Sequence, residues 1–234
     1  MLDIRRYSDL GTMQIDWLNA HYHFSFANYH DRNRMGLGPL RVINDDIVKA
    51  GGGFAPHPHH DMEIITFVRS GAITHEDSLG NRGKTKAGDI QVMSAGSGIT
   101  HGEWNEENED TTLYQIWLFP RTRGAQPRWE TRQFPQSGGM QLLASGLERD
   151  AGTGALWIDQ DARLFGGNLK EGETWEHGLA GSAYLLVSKG EVAIKDSILK
   201  AGDGVAITKE LSLHLKALAD SELVLIDLTS YKAE

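Results

Sequence analysis

Residues 51–71 read GGGFAPHPHHDMEIITFVRSG, with histidines at 57, 59 and 60 and a β-branched apolar run from 62 onward. His57 and His59 lie two apart, so an extended backbone sends both imidazoles out of the same face, where both can reach one ion. His60 would point the other way. Residues 95–105 read AGSGITHGEWN, in which His101 and Glu103 again share parity. Two strands carrying these pairs could supply four ligands from the interior of one β-barrel.

Three neutral imidazoles and one carboxylate form a nitrogen and oxygen set suited to Fe²⁺, Mn²⁺, Ni²⁺, Cu²⁺ or Zn²⁺. An octahedral ion would keep two positions open. A lone His-x-His in a proline-rich loop is often only solvated surface. The second pair, which follows a Gly-Asp turn and a strand, raises the first to a metal hypothesis. Glu63 also has the parity of His57 and His59, so two carboxylates compete for one coordination position. The one left over can orient a ligand through a hydrogen bond. His21, His30 and His75 are expected as surface or hydrogen-bonded side chains.

The remaining composition narrows the class. A chain of 234 residues has length for one large domain or two of about 100 to 120 residues. The formal net charge of −9 leaves no diffuse basic surface, so direct nucleic-acid binding is not expected. The absence of cysteine excludes disulfides, thiolate metal sites and a cysteine nucleophile. The opening MLDIRRYSDLGT lacks the apolar core of a signal peptide, and no apolar run approaches roughly 18 residues. A cytoplasmic protein without membrane contact is the expectation.

Short β-branched or aromatic runs alternate with Gly, Asn and Asp clusters throughout, which predicts an all-β fold. Strands are expected over 40–43, 62–68, 90–93 and 113–119, and then over 155–158, 183–187, 204–207 and 223–228. Thr12 to Ala20 could make a short helix, and Gly80-Asn81 a turn tip. The stretch 120–139, PRTRGAQPRWETRQFPQSGG, reads as a connector with one strand inside, and the domain boundary is placed there. A degenerate repeat spans it. Val68-Arg69-Ser70-Gly71 corresponds to Val187-Ser188-Lys189-Gly190, and Ala87-Gly88-Asp89 to Ala201-Gly202-Asp203, with the second copy five residues shorter. Carried across, His57 falls on Glu176, His59 on Gly178, Glu63 on Ser182, His101 on Leu215 and Glu103 on Ala217, so no ligand is repeated; His177 and His214 lie one residue off.

These residues carry a family likeness. His57-x-His59 with Glu63 and Gly71 resembles the first cupin motif, and Gly88 through His101 to Asn105 resembles the second. The departures, seven rather than six residues before Gly71 and no proline ahead of His101, are those of pirins. HFSFANYHD (23–31), LRVINDD (40–46), HPHHDMEIITFV (57–68) and QVMSAGSGITHGEWN (91–105) are similar to pirin-family segments. The resemblance implies a bicupin of two jelly-roll-type β-barrels facing each other. Residues 1–125 would form the metal-binding domain and 126–234 a degenerate domain without ligands. It makes Glu103 the fourth ligand beside His57, His59 and His101, places Glu63 behind the ligands, and puts Fe²⁺ first among the ions.

The implied activity resembles that of a quercetin 2,3-dioxygenase, with a small aromatic substrate and O₂ as reactants. Glu103 would take the flavonol hydroxyl proton, with Glu63 in reserve, and Phe54, Phe67, Trp104 and Trp117 are candidates for a flat pocket. The alternative is a non-catalytic, metal-dependent regulatory protein that binds a transcription factor or metabolic enzyme. A cupin isomerase would need cationic residues inside the barrel, for which Arg41 and Arg69 are nearest. A monomer is expected, because two fused barrels cover each other's faces.

Overall fold

The computed structural model describes residues 1–134, 138–229 and 231, so residues 135–137 of the expected connector lie outside the described residues. Among these, every regular element is a strand except two single 3₁₀ turns, Tyr7–Asp9 and Glu148–Asp150. All eight expected strands are present, most of them longer than expected at one or both ends. The helix expected over 12–20 is not formed; the segment makes the antiparallel strands Gly11–Gln14 and Leu18–Tyr22. Leu18, Ala20 and Tyr22 are buried in alternation, and this period of two, satisfied by pairing with Leu40–Val48, overrides the local helical pattern.

Each half pairs a seven-stranded sheet with a four-stranded one. In the first half the large sheet runs in the order Arg128–Arg132, Ile90–Ser94, Glu63–Ser70, Thr111–Leu118, Leu40–Val48, Leu18–Tyr22, Gly11–Gln14. The small sheet runs Gly53–His59, Ile99–Trp104, Ala72–Asp77, Arg82–Lys86. The second half repeats the plan, with Thr174–Gly178, Ser212–Ala217, Glu191–Ile194 and Ser197–Lys200 as its small sheet. The two large sheets face each other. Ile65, Phe67, Ile90, Tyr114 and Ile116 from the first meet Leu143, Leu164, Tyr184, Val224 and Ile226 from the second in one buried cluster. At roughly 1.5–3 kcal/mol for each large side chain buried, this shared core fuses the barrels into one unit.

Main-chain bonding supports the repeat. Gly88 N–H donates to Val68 C=O and Gly202 N–H to Val187 C=O, while Ala87 N–H donates to Gly71 C=O and Ala201 N–H to Gly190 C=O. Gly71 and Gly190 occupy the left-handed region at φ 72° and 84°. A Cβ there would strike Thr111 in one copy and Ser221 in the other. Both strain and crowding therefore hold glycine at these turns. The expected turn tip is also found, with Gly80 at φ 86° joining Ala72–Asp77 to Arg82–Lys86.

The halves exchange strands at their margins. Leu2–Arg5 adds to the edge of the second large sheet, against Gly204–Ile207. Arg128–Arg132, the strand inside the connector, completes the first large sheet against Ile90–Ser94. The proposed division at 125/126 therefore falls ahead of the last strand of the first barrel, because a connector strand is assigned by the edge it pairs with and not by chain order.

Two predictions follow from this seam. Phe67→Ala should lower stability by about 3–5 kcal/mol in urea unfolding, since Phe67 is 4% exposed in the shared core. His23, 1% exposed and bonded through Nδ1 to the Tyr184 hydroxyl at 3.0 Å, has its pKa lowered to about 3 by burial. Below the unfolded value of about 6.5 the unfolded chain takes up a proton that the folded chain refuses. Stability should therefore fall between about pH 6 and 3 more steeply in wild type than in His23→Leu, by up to about 1.4 kcal/mol per pH unit, read from urea midpoints across that range.

Candidate metal centre

Gly53–His59 pairs with Ile99–Trp104 so that His57 lies opposite His101 and Ile99 opposite His59. The register slips between His101 and Glu103, which faces Phe54. Trp104 folds back over the slip, and a Cβ on Gly102 would meet its ring at 2.2 Å. The extra residue lies on Gly53–His59, while Ile99–Trp104 runs in unbroken register with Ala72–Asp77, so His101 and Glu103 keep one parity and are both buried, at 3% and 2% exposure. The ligand atoms of His57, His59 and His101 all lie within 4.8 Å of one another. A second cluster of the same tightness joins His75, His101 and Glu103. The three expected histidines are thus brought together, and Glu103 adjoins them through His101.

Hydrogen bonding leaves the right nitrogens free. His57 Nδ1 bonds to the Ala55 carbonyl at 2.8 Å. His59 Nε2 and His101 Nε2 are buried with no partner, an arrangement that a neutral protein interior avoids and that a cation would satisfy. Burial, followed by the neighbouring histidines, lowers His59 to about 4 and His101 to about 2. Both rings are therefore neutral and have a lone pair to give.

His75 was expected as surface or hydrogen-bonded, and it is fully buried and bonded. Its Nε2 meets Asp77 Oδ2 at 3.1 Å and its Nδ1 meets His101 Nδ1 at 3.3 Å. Asp77 is an acceptor, held by Asn81 and by the Leu79 N–H. The proton of neutral His75 then sits on Nε2, His75 Nδ1 accepts, and His101 donates from Nδ1. His101 Nε2 is left as the ligating atom. His75 also stacks on Trp129 with ring centroids 4.8 Å apart. His21 bonds to the Tyr7 hydroxyl at 3.0 Å, and His30 is exposed.

Glu103 is held by three side chains. Thr66 Oγ1 at 3.2 Å and Gln91 Nε2 donate to Oε1, and Gln115 Nε2 donates to Oε2 at 2.6 Å. One lone-pair site remains on Oε2. Burial pushes the carboxyl up to about 7 against these lowering hydrogen bonds. Glu63 has a different task from the one expected. It begins a new strand, Glu63–Ser70, after a turn at Asp61 with φ 48°, and parity does not carry across that break. Its Oε2 accepts from Ser94 Oγ at 2.7 Å and from the Asp159 N–H at 3.1 Å, which docks the second half.

A cavity of about 350 Å³ opens onto this cluster. Phe54 and Trp117 line it as expected, joined by Trp17 and Phe26. Trp17 meets Phe54 edge-on at 5.0 Å, Phe26 meets Trp117 at 5.4 Å and Trp117 meets His59 at 4.9 Å. Phe67 and Trp104 are not among the lining residues. Phe67 has the opposite parity to Thr66 and enters the core between the barrels, whereas Trp104 packs over Gly53 and Gly102. Asn44, Asp46 and Gln115 make a polar part of the wall. Burial, with Asp45 and Glu103 nearby, raises the Asp46 carboxyl well above its usual range. Arg69 pairs with Asp45 and lies over Tyr114, and Arg41 bonds to the Ser25 carbonyl; neither lines the cavity.

Among the described residues, both metal-type clusters lie in the first half. In the second, Glu176 and His214 face each other across Thr174–Gly178 and Ser212–Ala217, with side chains 71% and 64% exposed. His177 instead bonds to buried Asp227 at 2.9 Å, as does Arg163 at 2.7 Å.

Two facing barrels with a histidine and carboxylate cluster in one of them define a cupin-type metalloprotein. The chain belongs to the pirin family: residues 4–118 match the family model described as Pirin, and 142–228 match that of the quercetinase C-terminal cupin domain. A pirin-like protein of Caulobacter vibrioides is 50% identical over 232 residues, covering 97% of this chain and 99% of that protein. A quercetin 2,3-dioxygenase of Escherichia coli K12 is 42% identical over 231 residues, with the same coverage. The crystal structure of a bacterial pirin from Escherichia coli in complex with nickel(II) superposes with a TM-score of 0.92 at 42% identity, covering 97% of this chain and 99% of that one. No helix among the described residues is long and apolar enough to cross a membrane.

The His75–Asp77 pair generates a prediction. His75→Ala should weaken metal affinity by about 10–100-fold while stoichiometry at saturation persists, as measured by competition with a chromophoric chelator. Unchanged affinity would show that the pair does not orient His101.

Proposed function

We propose that this protein is a metal-dependent dioxygenase of the pirin type that cleaves flavonols such as quercetin with O₂, on an ion held by His57, His59, His101 and Glu103. The observation that carries the reading is the pair of buried, unpartnered Nε2 atoms of His59 and His101 at an aromatic-walled cavity. Iron(II) is placed first; nickel(II), the ion in the related crystal structure, competes for the same nitrogen and oxygen donors. The bound ion would supply Lewis acidity toward a substrate oxygen and a centre for O₂ chemistry.

The chain's own groups would do the rest. Trp17, Phe26, Phe54 and Trp117 offer faces and edges to a flat ring system and keep water from it. Glu103, whose Oε2 keeps one open lone-pair site, would accept the phenolic proton. Gln115, Gln91 and Thr66 hold its oxygens in place while that proton moves.

Oxygen uptake with quercetin tests the proposal, using protein purified anaerobically and loaded in parallel with Fe²⁺, Mn²⁺, Ni²⁺ or Cu²⁺. Uptake should depend on metal and be lost in His59→Ala. Absence of uptake with every ion in a stoichiometrically filled site would overturn the reading and favour a regulatory role. A second measurement divides the carboxylates: Glu103→Gln should bind metal more weakly than wild type, and Glu63→Gln should bind it normally. The reverse result would transfer the ligand role to Glu63.

A further inference from the structure

Asn44 and Asp46 lie two apart on Leu40–Val48, so their side chains leave the same face of the strand. That face points into the first barrel, where their neighbours across the sheet are Gln115 and Tyr22 beside Asn44, and Leu113 and Ala20 beside Asp46. Both side chains line the aromatic cavity at the metal centre, and the residues are only 5% and 2% exposed. Yet Asn44 Oδ1 and Asp46 Oδ1 are buried with no hydrogen-bond partner. The contrast with Gln115 is informative: its Nε2 donates to Glu103 and its Oε1 accepts from the Trp117 indole at 3.3 Å. Tyr22, across from Asn44, likewise has a buried hydroxyl without a partner.

A buried acceptor without a donor destabilises a fold, and an apolar side chain of similar size would serve the barrel wall better. Two such acceptors on one wall of a cavity are explained if the occupant brings the donors. We infer that Asn44 and Asp46 form a second recognition point in the pocket, accepting hydrogen bonds from a hydroxylated aromatic ligand that carries at least one donor besides the oxygen it presents to the histidines. A carboxyl oxygen accepts in either protonation state, so Asp46 can fill this role ionised or neutral. The inference rests on the flavonol reading for its choice of probes, but it concerns binding and not turnover.

The experiment compares quercetin with 3-hydroxyflavone, which keeps the 3-hydroxyl and lacks the others, on nickel-loaded protein under argon. Binding is read by quenching of tryptophan fluorescence, to which Trp17 and Trp117 contribute. Wild type should bind quercetin more tightly by about tenfold or more, because a site built to bond a hydroxyl rejects the analogue without it. This runs against the greater hydrophobicity of 3-hydroxyflavone. In Asn44→Leu and Asp46→Leu the preference should shrink toward parity, with the near-UV circular dichroism unchanged. Equal binding of the two compounds by wild type, or an undiminished preference in both variants, would overturn the inference. If the leucine variants do not fold, O-methyl ethers of quercetin that leave the 3-hydroxyl free decide the matter on the wild-type protein: weaker binding supports the acceptor pair, and unchanged binding with each of the other hydroxyls methylated in turn overturns it. With oxygen excluded, the result is separable from catalysis. A donor preference without oxygen uptake in the catalytic assay would remove the dioxygenase reading alone, and uptake without a preference would remove this one alone.

Discussion

The pairing of Gly53–His59 with Ile99–Trp104, His57 opposite His101, is the constraint on which the centre depends. Antiparallel pairing puts directly opposed side chains about 4.5–5.5 Å apart, which is the separation two imidazoles need to share an ion. The observed ring centroids, 4.6 Å apart for His57 and His101, agree. Glu103, two residues after His101 on a strand in unbroken register with Ala72–Asp77, stays inside as well. Had the pairing shifted by one residue, each histidine would have turned to the opposite face.

The pairing is held from behind. The small sheet that carries the histidines closes against a large sheet whose other face is locked into the second barrel by a shared apolar core. One strand of that large sheet serves both roles: on Glu63–Ser70, Thr66 faces the metal centre and bonds to Glu103, while Ile65 and Phe67 face the second barrel. The second barrel thus supports the geometry of the first without contributing to its ligand cluster. Glu63 reinforces the seam by accepting from the Asp159 N–H.

Around the histidines, polar groups divide into those already satisfied and those left open. The Asp77–His75–His101 chain and the three donors on Glu103 fix orientation and protonation before anything binds. Among the buried atoms left open, His59 Nε2, His101 Nε2, Asn44 Oδ1 and Asp46 Oδ1 belong to residues of the metal cluster or the cavity wall. Burial without partners is costly; these four atoms share one site, whereas others, such as Arg163 Nε and Asp227 Oδ1 in the second half, lie elsewhere in the fold.

The all-β class, the repeat and the three histidines were legible in the order of residues, because each depends on local rules. Alternation fixes which side of a strand a residue leaves, and a glycine at positive φ marks a turn wherever it occurs. Parity failed where the strand was interrupted, as between His59 and Glu63, and it could not say which neighbour a face would meet, so Phe67 and Trp104 were assigned to a pocket they do not line. Helical spacing over 12–20 was likewise overridden by a sheet edge supplied by residues distant in sequence. The partners were set by the pairing of distant strands: His75 and Asp77 behind His101, the three donors on Glu103, and Asn44 and Asp46 in the cavity wall. Those positions carry no motif, since a hydrogen bond across a sheet is set by the register of two strands and not by the order of residues in either one.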